Sequence, residues 1–109
     1  MIQPKVIPLN RMFFTGTFLE NSTKEEASPW FDCLGMDEGV VLFRGMEDGL
    51  DEVIIEGSIV AKPDDDTAEL VSKEFKSNGN CRIKGYWKYR ARHVVASGKP
   101  VTVYLFGSN

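Results

Sequence analysis

Arg82-Ile83-Lys84-Gly85-Tyr86-Trp87-Lys88-Tyr89-Arg90-Ala91-Arg92-His93 is the stretch whose reading decides the fold. Arg82, Lys84, Tyr86, Lys88, Arg90 and Arg92 alternate with Ile83, Gly85, Trp87, Tyr89, Ala91 and His93. A period of two is the signature of a half-buried β-strand, so this segment predicts a strand with a basic outer face. Beyond it Ser97-Gly98-Lys99-Pro100 turns the chain into residues 101–106 (VTVYLF), a last strand of β-branched and aromatic residues.

Upstream, residues 11–20 are rich in aromatic and β-branched types and predict a first strand, and residues 30–34 a short second one. Residues 40–44 and 52–60 flank a loop containing Asp48-Gly49 and read as an antiparallel hairpin. Pro63-Asp64-Asp65-Asp66 then breaks the run. The piece after it is ambiguous: Asp66 with Glu69 resembles a helix capping box, whereas Ser77-Asn78-Gly79-Asn80 is a hairpin turn. The turn favours a strand over 68–75 returning as 81–88.

Residues 1–10 contain Pro4 and Pro8, which exclude a regular helix and a central strand, so they read as an extended N-terminal arm. The whole predicts an all-β protein: an antiparallel β-sandwich of about seven short strands over residues 11–109, preceded by the arm 1–10. A five-stranded closed barrel is the alternative. The expected core includes Trp30, Phe43, Ile55, Trp87, Tyr89 and Val103.

With 109 residues the chain makes one compact domain whose function belongs on its outside, because a core of this size leaves little room for a deep walled cleft. No apolar run approaches the ~20 residues of a membrane helix, and the N-terminus lacks a signal-peptide pattern, so assembly in the cytoplasm without membrane contact is expected. Cys33 and Cys81 have neither metal-site spacing nor the density of a disulfide scaffold, which predicts free thiols.

Charge is segregated. Residues 1–74 hold all 16 acids with six bases, and residues 75–109 hold seven bases and no acid, so a net −3 divides into −10 and +7. Such surfaces are neutralised within the molecule, between copies, or by nucleic acid.

Catalysis is not expected. His93 is the only histidine and lies on the inward face of its strand, with no Ser or Cys placed by sequence to be activated. Ser58 has the preceding Gly57 but not the second glycine of a nucleophile elbow. The paired acids border turns, and Asp64-Asp65-Asp66 offers oxygen ligands for an ion but lacks the spacing of a calcium loop. No phosphate loop or cofactor fingerprint occurs, so no catalytic, cofactor or metal residue is assigned. Basic residues interleaved with Tyr86, Trp87 and Tyr89 resemble a single-strand-binding surface, but Trp87 and Tyr89 fall on the face opposite the cations, which argues against nucleic acid.

The order of residues resembles a family. Val53-Ile54-Ile55-Glu56-Gly57-Ser58, then a variable acidic loop, Asn78-Gly79-Asn80-Cys81-Arg82-Ile83, Tyr89-Arg90-Ala91-Arg92-His93-Val94 and Ser97-Gly98-Lys99-Pro100-Val101-Thr102-Val103-Tyr104-Leu105-Phe106-Gly107 look like the small β-sandwich accessory proteins of tailed-bacteriophage virions. The resemblance covers about residues 39–107, and the acidic loop replaces the Asn-Asp-Gly turn frequent in relatives. It implies a non-enzymatic structural protein of the virion, foremost a capsid decoration (cement) protein on the major capsid protein lattice, with self-association. A neck or tail subunit, or an OB-like single-strand-binding protein, are the alternatives. The residues expected to meet partners are Ile2, Val6, Ile7 and Leu9 of the arm and Lys84, Lys88, Arg90 and Arg92 of the basic face.

Overall fold

The computed structural model describes residues 3–7, 11–72 and 74–109. Two antiparallel sheets face each other. The strands in chain order are β1 (Gln3–Ile7), β2 (Arg11–Ser22), β3 (Glu26–Ala27), β4 (Phe31–Asp32), β5 (Glu38–Arg44), β6 (Glu52–Ser58), β7 (Glu69–Leu70), β8 (Gly79–Ile83), β9 (Lys88–Val95) and β10 (Val101–Ser108). Sheet 1 has the order β1-β2-β10-β5-β8, and sheet 2 the order β3-β9-β6-β7 with β4 also on β9. Among the described residues seven strands have five residues or more; β3, β4 and β7 have two each. The β-sandwich read from the sequence is the fold, and two open sheets replace the barrel alternative.

Three local expectations are corrected. Residues 40–44 and 52–60 do not form a hairpin: β5 pairs with β10 and β8, whereas β6 pairs with β9 and β7. The connecting loop carries the chain from one sheet to the other, so Val41 and Phe43 meet Val53 and Ile55 across the core rather than beside them, all four fully buried. Gly45 makes the corner with φ +81°, and a Cβ there would strike the Pro100 carbonyl oxygen.

Nor is 82–92 one strand. Gly85, with φ +94°, turns the chain between β8 in sheet 1 and β9 in sheet 2. Ile83 and Tyr89 both point into the same core from opposite sheets, which preserves the alternation through the corner. Finally, the segment before the Asn78-Gly79 turn does not return on β8. It lies on β6 through Glu69–Leu70 and a bridge from Phe75 to Val53, while β8 joins β5.

The core holds Phe43 stacked on Phe75 (centroids 4.2 Å) and Phe18 on Phe31 (4.8 Å), with Ile55, Tyr89, Val101 and Val103 inaccessible. Trp30 and Trp87, expected inside, are only half-buried and sit at the margins. Of the expected arm, residues 3–7 are β1, an extended strand of sheet 1 in register with residues 11–15 of β2. Pro4 fits there because β1 is the edge.

Candidate interaction site

The basic strand β9 runs antiparallel to β6, with Arg90 opposite Glu56 and Arg92 opposite Ile54. This register places one carboxylate between two guanidinium groups: Glu56 Oε1 accepts from Arg90 Nε at 2.9 Å and from Arg92 Nε at 3.1 Å. A second carboxylate arrives from the acidic loop. Asp64 Oδ1 accepts from the Asp66 and Thr67 amides, tightening the loop, and Asp65 Oδ1 then takes Arg90 Nη2 at 2.7 Å and Arg92 Nη2 at 3.1 Å. The Arg90 guanidinium also lies over Trp30, 4.6 Å from the ring centroid.

Roofed in this way, the Arg90 side chain is only 7% exposed although it points away from the core. The hydrogen bond from Arg90, with the charges of Arg90 and Arg92, holds the Asp65 carboxyl below its ordinary range. Burial works against the Arg90 charge, but Asp65 and Glu56 outweigh it and raise its pKa. Arg90 is therefore a bound cation and not a free contact residue, a correction to the sequence reading. Arg92 is shared between the same two acids, and Lys88 stands 3.7 Å from Asp32. Lys84 is exposed and separate, on the corner after β8. Among the arm residues Val6 and Ile7 belong to β1, while Ile2 and Leu9 lie outside the described residues.

The inner face of β9 carries a second polar cluster. His93 Nε2 is 2.9 Å from Asp51 Oδ1, and its Nδ1 is 3.0 Å from Ser22 Oγ. Asp51 also accepts from the Glu47 amide (2.8 Å), the Ser97 amide (2.8 Å) and Ser97 Oγ (2.8 Å). Burial pushes the Asp51 carboxyl upward, but these hydrogen bonds prevail and hold it at about 2. An ionised Asp51 only accepts, so the proton on Nε2 is fixed. Ser22 Oγ stands near Glu26 Oε2 (2.8 Å) and the Lys24 carbonyl (3.2 Å). The hydroxyl of Ser22 is thus enclosed among acceptors, and the cluster ties β2, β3, the loop before β6 and the loop after β9 to one imidazole. The sequence suggested a packed histidine, and that is its position.

A third feature is apolar: at one end of the sandwich Leu34, Met36, Ile59 and Trp87 border a hollow of about 480 Å³. Leu34 and Ile59 are 65% and 67% exposed. Burial pushes the nearby Cys33 thiol up to about 12, which leaves it a packing residue rather than a nucleophile. Among the described residues no group of three or more His, Cys, Asp or Glu could hold a metal ion, and Asp65 is engaged by arginine.

Sequence reasoning missed Glu56, Asp65 and Trp30 as partners of the cations. The only signal for them was the imbalance of charge between the two parts of the chain.

No protein-family model matches the sequence, and no curated protein matches it. The fold is similar to that in the crystal structure of the SPBc2 prophage-derived protein YomS, with a TM-score of 0.74 and 16% identity over 96% of this chain and 100% of that one.

Proposed function

We propose that this chain is a non-enzymatic structural protein of a tailed-phage particle, and specifically a capsid decoration protein that binds the major capsid protein lattice. The observation that carries this reading is the likeness, across nearly the full length of both chains, to a protein of prophage origin. The strand sequences that resemble virion accessory proteins point the same way. The hollow bordered by Leu34, Ile59 and Trp87 suits a protein surface as partner, since exposed apolar groups gathered at one place mark such contacts. On a lattice, many weak copies of one contact suffice for occupancy.

The test is quantitative mass spectrometry of gradient-purified particles from a strain that expresses the gene. A decoration protein co-sediments with filled heads in copy numbers comparable to the major capsid protein. A few copies per particle, confined to tailed fractions, would assign it to the neck or tail instead, and absence from particles would remove the virion reading.

A further inference from the structure

We propose that the outer face of sheet 1 docks against the same face of a second copy of this chain. This goes beyond the virion reading and stands or falls separately from it. The two outer faces of the sandwich are unlike. That of sheet 2 is closed by Arg90, Arg92, Glu56, Asp65 and Trp30. That of sheet 1 carries an uncovered stripe along the central strand β10, where Tyr104 is 44% and Phe106 50% exposed.

The registers extend the stripe across three strands. Tyr104 lies between Thr17 and Leu42, and Phe106 between Thr15 and Val40. Phe13 completes it, its ring 5.5 Å from that of Phe106. Beside Phe106 and Val40 the surface dips into a hollow of about 130 Å³ reaching Arg82, so the face is ridged and suited to interlocking. Aromatic and β-branched residues in the middle of a sheet face, with Glu20, Glu38 and Arg44 at its margins, are the anatomy of a protein interface.

The charges at the margins choose the occupant. Glu20 stands at one corner on β2, Arg44 at the opposite end of the same row on β5, and Glu38 at the far end of β5; all three are exposed. Arg44 rests Nη1 on the Phe43 and Gly79 carbonyls, which holds its guanidinium over the β5–β8 side. Identical faces meet through a two-fold axis lying in the interface. An axis along β10 sets each β2 over β5 of the second copy and brings Glu20 to Arg44. An axis across the strands sets β5 over β5 and brings Glu38 to Arg44. Either way Arg44 meets an acid, and Tyr104 and Phe106 fall in the centre. Five strands about 4.8 Å apart and about 25 Å long give a face of roughly 600 Å² in projection, near the ~800 Å² per partner of a standard interface.

Sedimentation equilibrium of the intact protein from micromolar to high micromolar concentration tests the proposal. The expected result is a concentration-dependent dimer that Tyr104→Ser/Phe106→Ser abolishes while circular dichroism and the melting curve of the monomer are kept. Arg44→Glu alone weakens self-association about tenfold by placing two acids together. Mixing it with Glu20→Arg restores a heterodimer if the facing strands run parallel, and mixing it with Glu38→Arg does so if they run antiparallel. A protein that stays monomeric throughout overturns the proposal. So does a dimer indifferent to Tyr104→Ser/Phe106→Ser, which would pair through a sheet edge.

Discussion

His93 Nε2 and Asp51 Oδ1 lie 2.9 Å apart with both side chains wholly buried, and the aspartate is tied at the same time to two backbone amides and a serine hydroxyl. A charge in such a place is tolerable only because every lone pair facing the protein is used. The pair is therefore a structural joint with a pH signature.

The Asp51 carboxyl titrates near 2 in the folded protein against 3.8 for its ordinary value. A depressed pKa contributes stability that is complete above the unfolded value and disappears as pH falls through the folded one, here between about pH 4 and pH 2, and amounts to about 2 kcal/mol. Urea denaturation of wild type and Asp51→Asn at a series of pH values checks this. The variant is less stable at pH 7 and loses the part of the acid slope that Asp51 supplies; parallel curves would contradict the assignment.

Breaking the roofed ion cluster on sheet 2 costs more than breaking any exposed pair. Glu56→Ala leaves Arg90 largely desolvated with one carboxylate instead of two, an expected loss of about 2–3 kcal/mol. Lys99→Ala, which removes the solvent-exposed pair with Glu47, changes stability by less than about 0.5 kcal/mol. Chemical denaturation of the two variants side by side measures the contrast.

Two glycines with positive φ respond differently to alanine. At Gly45 the conformation is strained and the Cβ meets the Pro100 carbonyl oxygen, so Gly45→Ala costs roughly 3 kcal/mol or more. At Gly85 nothing lies within 4 Å of the added carbon, and only the backbone preference, about 1 kcal/mol, is lost. Thermal melts of both variants separate the steric from the conformational contribution.

Cys33 reacts with Ellman's reagent only as fast as the protein unfolds, because its thiol is enclosed and its ionisation is pushed up to about 12. Cys81, half-buried, reacts first. A thiol count that rises from one to two along the urea transition is the expected trace; two fast thiols at pH 8 would show an open core.

What was legible in the sequence followed from side-chain alternation and turn residues. β2 and β10 announced themselves by aromatic and β-branched runs. The strand pairs were not legible in the same way, because the apolar runs Val40-Val41-Leu42-Phe43 and Val53-Ile54-Ile55 read the same whether they lie beside each other in one sheet or opposite each other across the core. Alternation through Gly85 also survives a change of sheet, since both sheets bury side chains toward the same interior. The cations of β9 were visible, but their partners were not: Glu56 is matched to Arg90 by register and Asp65 by a loop crossing the face, neither of which a local pattern encodes.

The position of β10 has a kinetic consequence. This strand, residues 101–108, stands at the centre of sheet 1 and pairs Ser108 with Phe13 and with Glu38. Sheet 1 is thus closed by its latest-synthesised strand, wedged between strands made much earlier, and a nascent chain on the ribosome holds β2 and β5 with their facing edges unpaired until residue 108 has emerged. Contacts so distant in sequence make for slow closure. In that interval the exposed strand edges are the chain's point of vulnerability, where a holding chaperone would have its greatest effect on yield.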